Sequence, residues 1–83
     1  MDKLLNFPVS HSDYKLNSRD FAAGAKSAKA DINTRGLLAA IRYFNSKVPY
    51  ISKYSERSVI SYWAGFQAML ASWIKEIENA NKE

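Results

Sequence analysis

Apolar residues recur at steps of three and four along most of this chain, and the pattern is most regular near its end. Val59, Trp63, Phe66, Leu70, Trp73 and Ile77 alternate steps of four and three, with Ile60, Met69 and Ile74 widening the stripe. That spacing is the signature of an amphipathic helix. Ser55 is placed to cap it and the pattern persists to about Asn79, so at 1.5 Å per residue the helix should be roughly 36 Å long.

Two shorter helices are expected upstream. Phe21, Ala25, Ala28 and Ile32 share one face from Ser18 onward, with Asn17 or Ser18 as cap and Asp20 against the positive end of the dipole. Leu37, Ile41, Phe44 and Val48 form the next stripe, capped by Thr34 and stopped by Pro49 at about Lys47. Arg35 and Arg42 fall where Arg19 and Lys26 fall in the helix before, so a basic stripe is expected beside each apolar one. Residues 1–17 read as an irregular arm in which Pro8, Ser10, His11, Ser12, Asp13 and Asn17 sustain no period. The expected architecture is all-α: an arm over 1–17 and one three-helix domain over 18–83. Two short helices cannot cover both ends of the long one. Either Leu4, Leu5 and Phe7 of the arm close the free end, or a second copy does, which leaves monomer and homodimer both open.

Charge sharpens the picture because it is unevenly distributed. Lys15 to Arg57 holds nine basic residues against Asp20, Asp31 and Glu56, a local excess of six, whereas each flanking segment is net −1. The whole excess of +4 therefore sits mid-chain. A solvated helix normally intersperses both signs at four-residue spacing. The imbalance points to a polyanion, nucleic acid first. There is no cysteine, no apolar run of membrane-spanning length and no signal-peptide pattern, so a cytoplasmic setting is expected.

Catalysis is not expected. His11 is the single histidine, in a Ser-His-Ser-Asp stretch, but the members of a catalytic triad converge from separate elements, so a surface loop residue is the better account. Carboxylates are scattered with no metal-ligand spacing, and Gly24, Gly36 and Gly65 form no phosphate loop. No cofactor is expected. Trp63, Phe66, Trp73, Phe21 and Phe44 are read as core. Tyr43 and Tyr62 lie at the edges of their stripes. Tyr50 and Tyr54 differ, being interleaved with Lys53 and followed by Arg57 in the connection after Pro49. They either seal the loop or stack on bases of single-stranded RNA.

Val48-Pro49-Tyr50, Arg57-Ser58, Trp63 and Gly65-Phe66-Gln67-Ala68-Met69 together resemble the ribosome modulation factors, and Phe21 with Gly24 resembles that family's aromatic-x-x-Gly helix. The similarity runs from about Arg19 to Ser72. Val48 stands where the family has cysteine and Phe66 where it has tryptophan. A helix's worth of extra residues separates Gly24 from Pro49. The resemblance implies a ribosome-associated RNA-binding protein without catalysis, with Tyr50 and Arg57 as contact positions.

The expected function is that of a small, non-enzymatic, basic RNA-binding protein, ribosome-associated or a phage-type factor that neutralises a host activity through RNA. Arg19, Lys26, Lys29, Arg35, Arg42, Lys47, Lys53 and Arg57 would meet phosphates while Tyr50 and Tyr54 stack. Reversing Arg35 and Arg42 is then the expected way to abolish RNA retention. The alternative is a helical inhibitor or adaptor, of the kind found among counter-defence factors, that docks on an acidic protein. Its interface would be Leu70, Trp73, Ile74 and Ile77.

Overall fold

The computed structural model describes residues 3–10 and 14–81, so His11, Ser12 and Asp13 lie outside the described residues. Three α-helices follow the arm: α1 over Ser18–Arg35, α2 over Leu37–Lys47 and α3 over Arg57–Ala80. A short 3-10 turn, Val48–Tyr50, extends α2. No strand occurs among the described residues. The fold is all-α, 41 Å along its longest axis, a length set by the 24 residues of α3.

Local chemistry explains the helix ends, and at two of them it differs from expectation. Asn17 caps α1, its side-chain oxygen accepting from the backbone N–H groups of Arg19 and Asp20 at 3.2 and 3.3 Å. Its own N–H donates to the Ser61 hydroxyl at 2.9 Å, tying the start of α1 to α3. Thr34 does not cap α2, because α1 runs on through Arg35. Gly36 alone separates the two helices: its N–H closes α1 on the Ile32 carbonyl and its carbonyl accepts from Ala40 to open α2. With φ 97° and ψ 160° it occupies backbone space that is essentially reserved for glycine. Glu56, not Ser55, precedes α3, and its side chain makes no capping bond. The Ser55 hydroxyl is engaged by the N–H of Ser52.

α3 is the central helix, and its neighbours meet it by opposite means. Towards α2 the filling is aromatic. Phe44 stacks on Phe66 with centroids 6.2 Å apart and planes 13° from parallel, and Trp63 packs on Phe66 at 5.1 Å and on Tyr43 at 5.7 Å. Towards α1 the filling is absent. A Cβ on Gly24 would overlap the Tyr62 carbonyl, and one on Gly65 would overlap the Phe21 carbonyl. Each glycine thus seats the carbonyl found three residues before the other, and the two backbones touch.

Burial follows this crossing more closely than the simple stripes. Gly24, Ala28 and Ile32 are the buried residues of α1, while Phe21 and Ala25 are only partly covered. On α3, Ile60, Ser61, Ala64, Gly65, Phe66 and Leu70 are buried, whereas Val59 and Ile77, expected in the stripe, are exposed. Central position explains the shift: from Ile60 to Leu70 no residue of α3 is exposed, so no narrow stripe describes it, while Val59 and Ile77 lie beyond that covered stretch.

The arm supplies the remaining cover. Val9 is buried, and Leu4, Phe7 and Tyr14 pack against the core, while Leu5 stays exposed. Burial pushes the Tyr14 phenol above its usual pKa. The Asn45 amide on α2 holds the arm from both directions, accepting from the Leu5 N–H at 3.1 Å and donating to the Lys3 carbonyl at 2.8 Å. This pairing mimics one rung of a sheet. Asn45→Ala removes both bonds, and at about 1 kcal/mol per bond it should destabilise the protein by about 1–2 kcal/mol. The Leu5 amide should then exchange faster while amides in α3 change little. Unchanged exchange at Leu5 would show that apolar contacts alone hold the arm.

Candidate nucleic-acid interface

The predicted contact residues are all exposed, but the structure distributes them over distinct surfaces. Arg19, Lys26 and Lys29 lie on the outer face of α1, with Ala22, Ala30 and Asn33 as neighbours. No carboxylate stands three or four residues from any of the three, so this face is unneutralised within its helix.

Arg35 does not continue that stripe. It belongs to the last turn of α1, on the side of Gly24 and Ala28 at about 100° per residue, and not to α2. Asp31 takes its guanidinium with two bonds, Nε to Oδ1 at 2.5 Å and Nη2 to Oδ2 at 2.7 Å. This hydrogen bonding holds the Arg35 pKa above its ordinary value. Its charge is therefore largely matched. Arg35 also lies over the Tyr43 ring at 5.4 Å, with Lys47 Nζ at 5.6 Å from the same centroid. Arg35, Arg42 and Tyr43 together line a shallow groove over Leu38 and Ala39. The match of Arg35 and Arg42 to the places of Arg19 and Lys26 is thus a coincidence of spacing, overridden by the helix break at Gly36.

The connection between α2 and α3 forms the third surface. Val48 and Ile51 are buried and anchor it from within, so the residues between and after them are thrown outward. Serine hydroxyls brace it: Ser52 N–H donates to Ser55 Oγ at 3.1 Å, Tyr54 N–H to Ser52 Oγ at 3.2 Å, and Ser55 N–H to the Ser52 carbonyl at 3.0 Å. Tyr50 and Tyr54 are 85% and 86% exposed, so neither seals the loop. Lys53 Nζ lies 5.4 Å from the Tyr54 ring centroid, a cation–π contact on one face of that ring. Lys47 and Arg57 flank the turn, with Glu56 as its single acid.

The four residues considered for a protein interface are not available as one face. Leu70 is fully buried in the chain's own core, and Trp73 and Ile74 are partly covered by packing against it; only Ile77 is exposed. An apolar residue in the stripe of a central helix is spent on the fold before it can serve a partner. Among the described residues no group of three acidic, histidine or cysteine side chains could hold a metal, and no helix is long and apolar enough to cross a membrane. No protein-family model matches the chain, and neither a curated protein nor a solved structure does.

Proposed function

We propose that this protein is a non-enzymatic RNA-binding protein. The observation that carries this reading is a braced turn bearing two almost fully exposed tyrosines, with Lys53 against the Tyr54 ring and with Lys47 and Arg57 flanking the turn in sequence. Packing gives those rings no purpose, and lysine is depleted where tyrosines serve protein interfaces. The unneutralised outer face of α1 supplies further charge for phosphates. Duplex DNA is disfavoured because α3, the helix that would have to enter a groove, is the central core helix. Similarity of the Val48-Pro49-Tyr50 turn and Arg57-Ser58 to the ribosome modulation factors extends the reading to ribosomal RNA as a target and to the cytoplasm as its setting.

Phosphate contacts make such binding steeply salt-dependent. Protein purified at low salt should carry nucleic acid, visible as ultraviolet absorbance in excess of that from its two tryptophans and five tyrosines. Ribonuclease or high salt should remove the excess. Protein that emerges clean at low salt, and that fails to retain added RNA, would overturn the proposal.

A further inference from the structure

Resting on that reading, we infer that the turn from Tyr50 to Tyr54 is a stacking platform for unpaired bases, so that the RNA recognised is single-stranded and read with little regard to base identity. The geometry points there in three steps. First, the platform is built in advance. Val48 and Ile51 fix the turn from inside, and the Ser52 and Ser55 hydroxyls close it on itself, so little ordering is left to be done on binding.

Second, the rings are open. No aromatic or cationic side chain packs on Tyr50 among the described residues, and Tyr54 is covered on one face only, by Lys53. A base inside a duplex has both faces stacked on its neighbours and offers none to the ring, whereas an unpaired base can lie flat on it. Every base has such a face, which makes stacking tolerant of sequence. Third, the cations are where a strand would need them. Lys53 lies against the Tyr54 ring at 5.4 Å, between the two tyrosines in sequence. Arg57 and Lys47, the latter over the Tyr43 ring, follow and precede the turn, so a strand stacked on the rings runs beside positive charge.

The test compares binding of fluorescently labelled oligouridylate, oligoadenylate and a fully paired RNA hairpin to the intact protein at moderate salt. The double variants Tyr50→Ala/Tyr54→Ala and Tyr50→Phe/Tyr54→Phe are measured beside it. Both sites are exposed, so the variants should fold, as circular dichroism would show. The two single strands are expected to bind about equally and more tightly than the hairpin. The alanine pair should weaken single-strand binding about thirtyfold or more, whereas the phenylalanine pair, which keeps the rings, should change it little. Equal affinity for strand and hairpin, unaltered by the alanine pair, would overturn the platform while leaving RNA binding by the basic faces intact. Absence of binding to any RNA would overturn both. A self-associated protein that the alanine pair dissociates, with RNA affinity unchanged, would make the tyrosines an interface between copies and overturn the platform as well.

Discussion

Gly24→Ala and Gly65→Ala should each destabilise the protein by about 3 kcal/mol or more, the upper end of what overpacking costs. The sign is the informative part. In a helix interior, alanine is favoured over glycine by about 1 kcal/mol, so a helix considered alone predicts stabilisation. The crossing predicts the reverse. At Gly24 the new methyl meets the Tyr62 carbonyl, with its carbon 2.7 Å away and the Phe66 nitrogen at 3.1 Å. At Gly65 it meets the Phe21 carbonyl, with Phe21 Cα at 3.0 Å. All of these are backbone atoms of a helix, so none can rotate aside. α1 and α3 must part by on the order of 1–2 Å to restore ordinary contacts of about 3.5–4 Å, and a gap of that size forfeits much of the dispersion energy along the seam. It also lengthens the bond from Asn17 to Ser61. A loss of 3 kcal/mol in a domain this small lowers the melting temperature by about 12–24 °C. Because both methyls separate the same two helices, the double variant should cost clearly less than the sum of the singles. Thermal unfolding of the three variants decides it: an unchanged or raised melting temperature for either single variant would mean that the helices are not in backbone contact.

That crossing also marks where the sequence stops being readable. Three helices, their order and the stop before Pro49 were legible because each follows from spacing or from a residue that cannot continue a helix. The burial of Phe44 and Phe66 was legible for the same reason, whereas Leu70, in the same stripe, was also offered to a partner and is buried in the core. Apolar periodicity says nothing of a contact made by missing side chains, and Gly24 and Gly65 carry no hydrophobic signal. The one trace was an aromatic-x-x-Gly pattern present in both helices, Phe21 to Gly24 and Tyr62 to Gly65, whose glycines the crossing requires. Thr34 and Ser55 were sound candidates for caps. Whether a hydroxyl caps depends on where the chain turns, and Gly36 moved one turn while the Ser52–Ser55 bonds absorbed the other. Among the candidate contact residues, exposure was predictable from helical spacing, but pairing was not. Asp31 and Arg35 stand four apart, a spacing open to ion pairing, yet counting Arg35 with the helix after it hid the match. Exposure of Tyr50 and Tyr54 was undecidable in sequence, since it follows from Val48 and Ile51 turning inward.

The Asp31–Arg35 pair changes which charges are worth reversing. Arg35→Glu would set a carboxylate against Asp31 beside Tyr43 and break an ion pair as well as remove a cation, so lost RNA binding would have two explanations. The outer face of α1 is free of that difficulty. Reversing Arg19, Lys26 and Lys29 together takes the net charge from +4 to −2 and breaks no ion pair within the helix. Glutamate, lysine and arginine have nearly equal helix propensity, and a glutamate at position 19 lies in the first turn, where the dipole favours it. Helicity and melting temperature should therefore hold. RNA affinity should fall by about a hundredfold or more near physiological salt. If all three residues meet phosphates, the slope of log affinity against log salt should flatten by about 2, since each contact to a single strand contributes about 0.7. The slope separates contact from mere attraction: a weakened affinity with an unchanged slope would mean that α1 acts through the field of the whole molecule. An affinity and slope both unchanged would remove α1 from the interface and leave Lys47, Lys53 and Arg57 around the tyrosine turn to carry the phosphates.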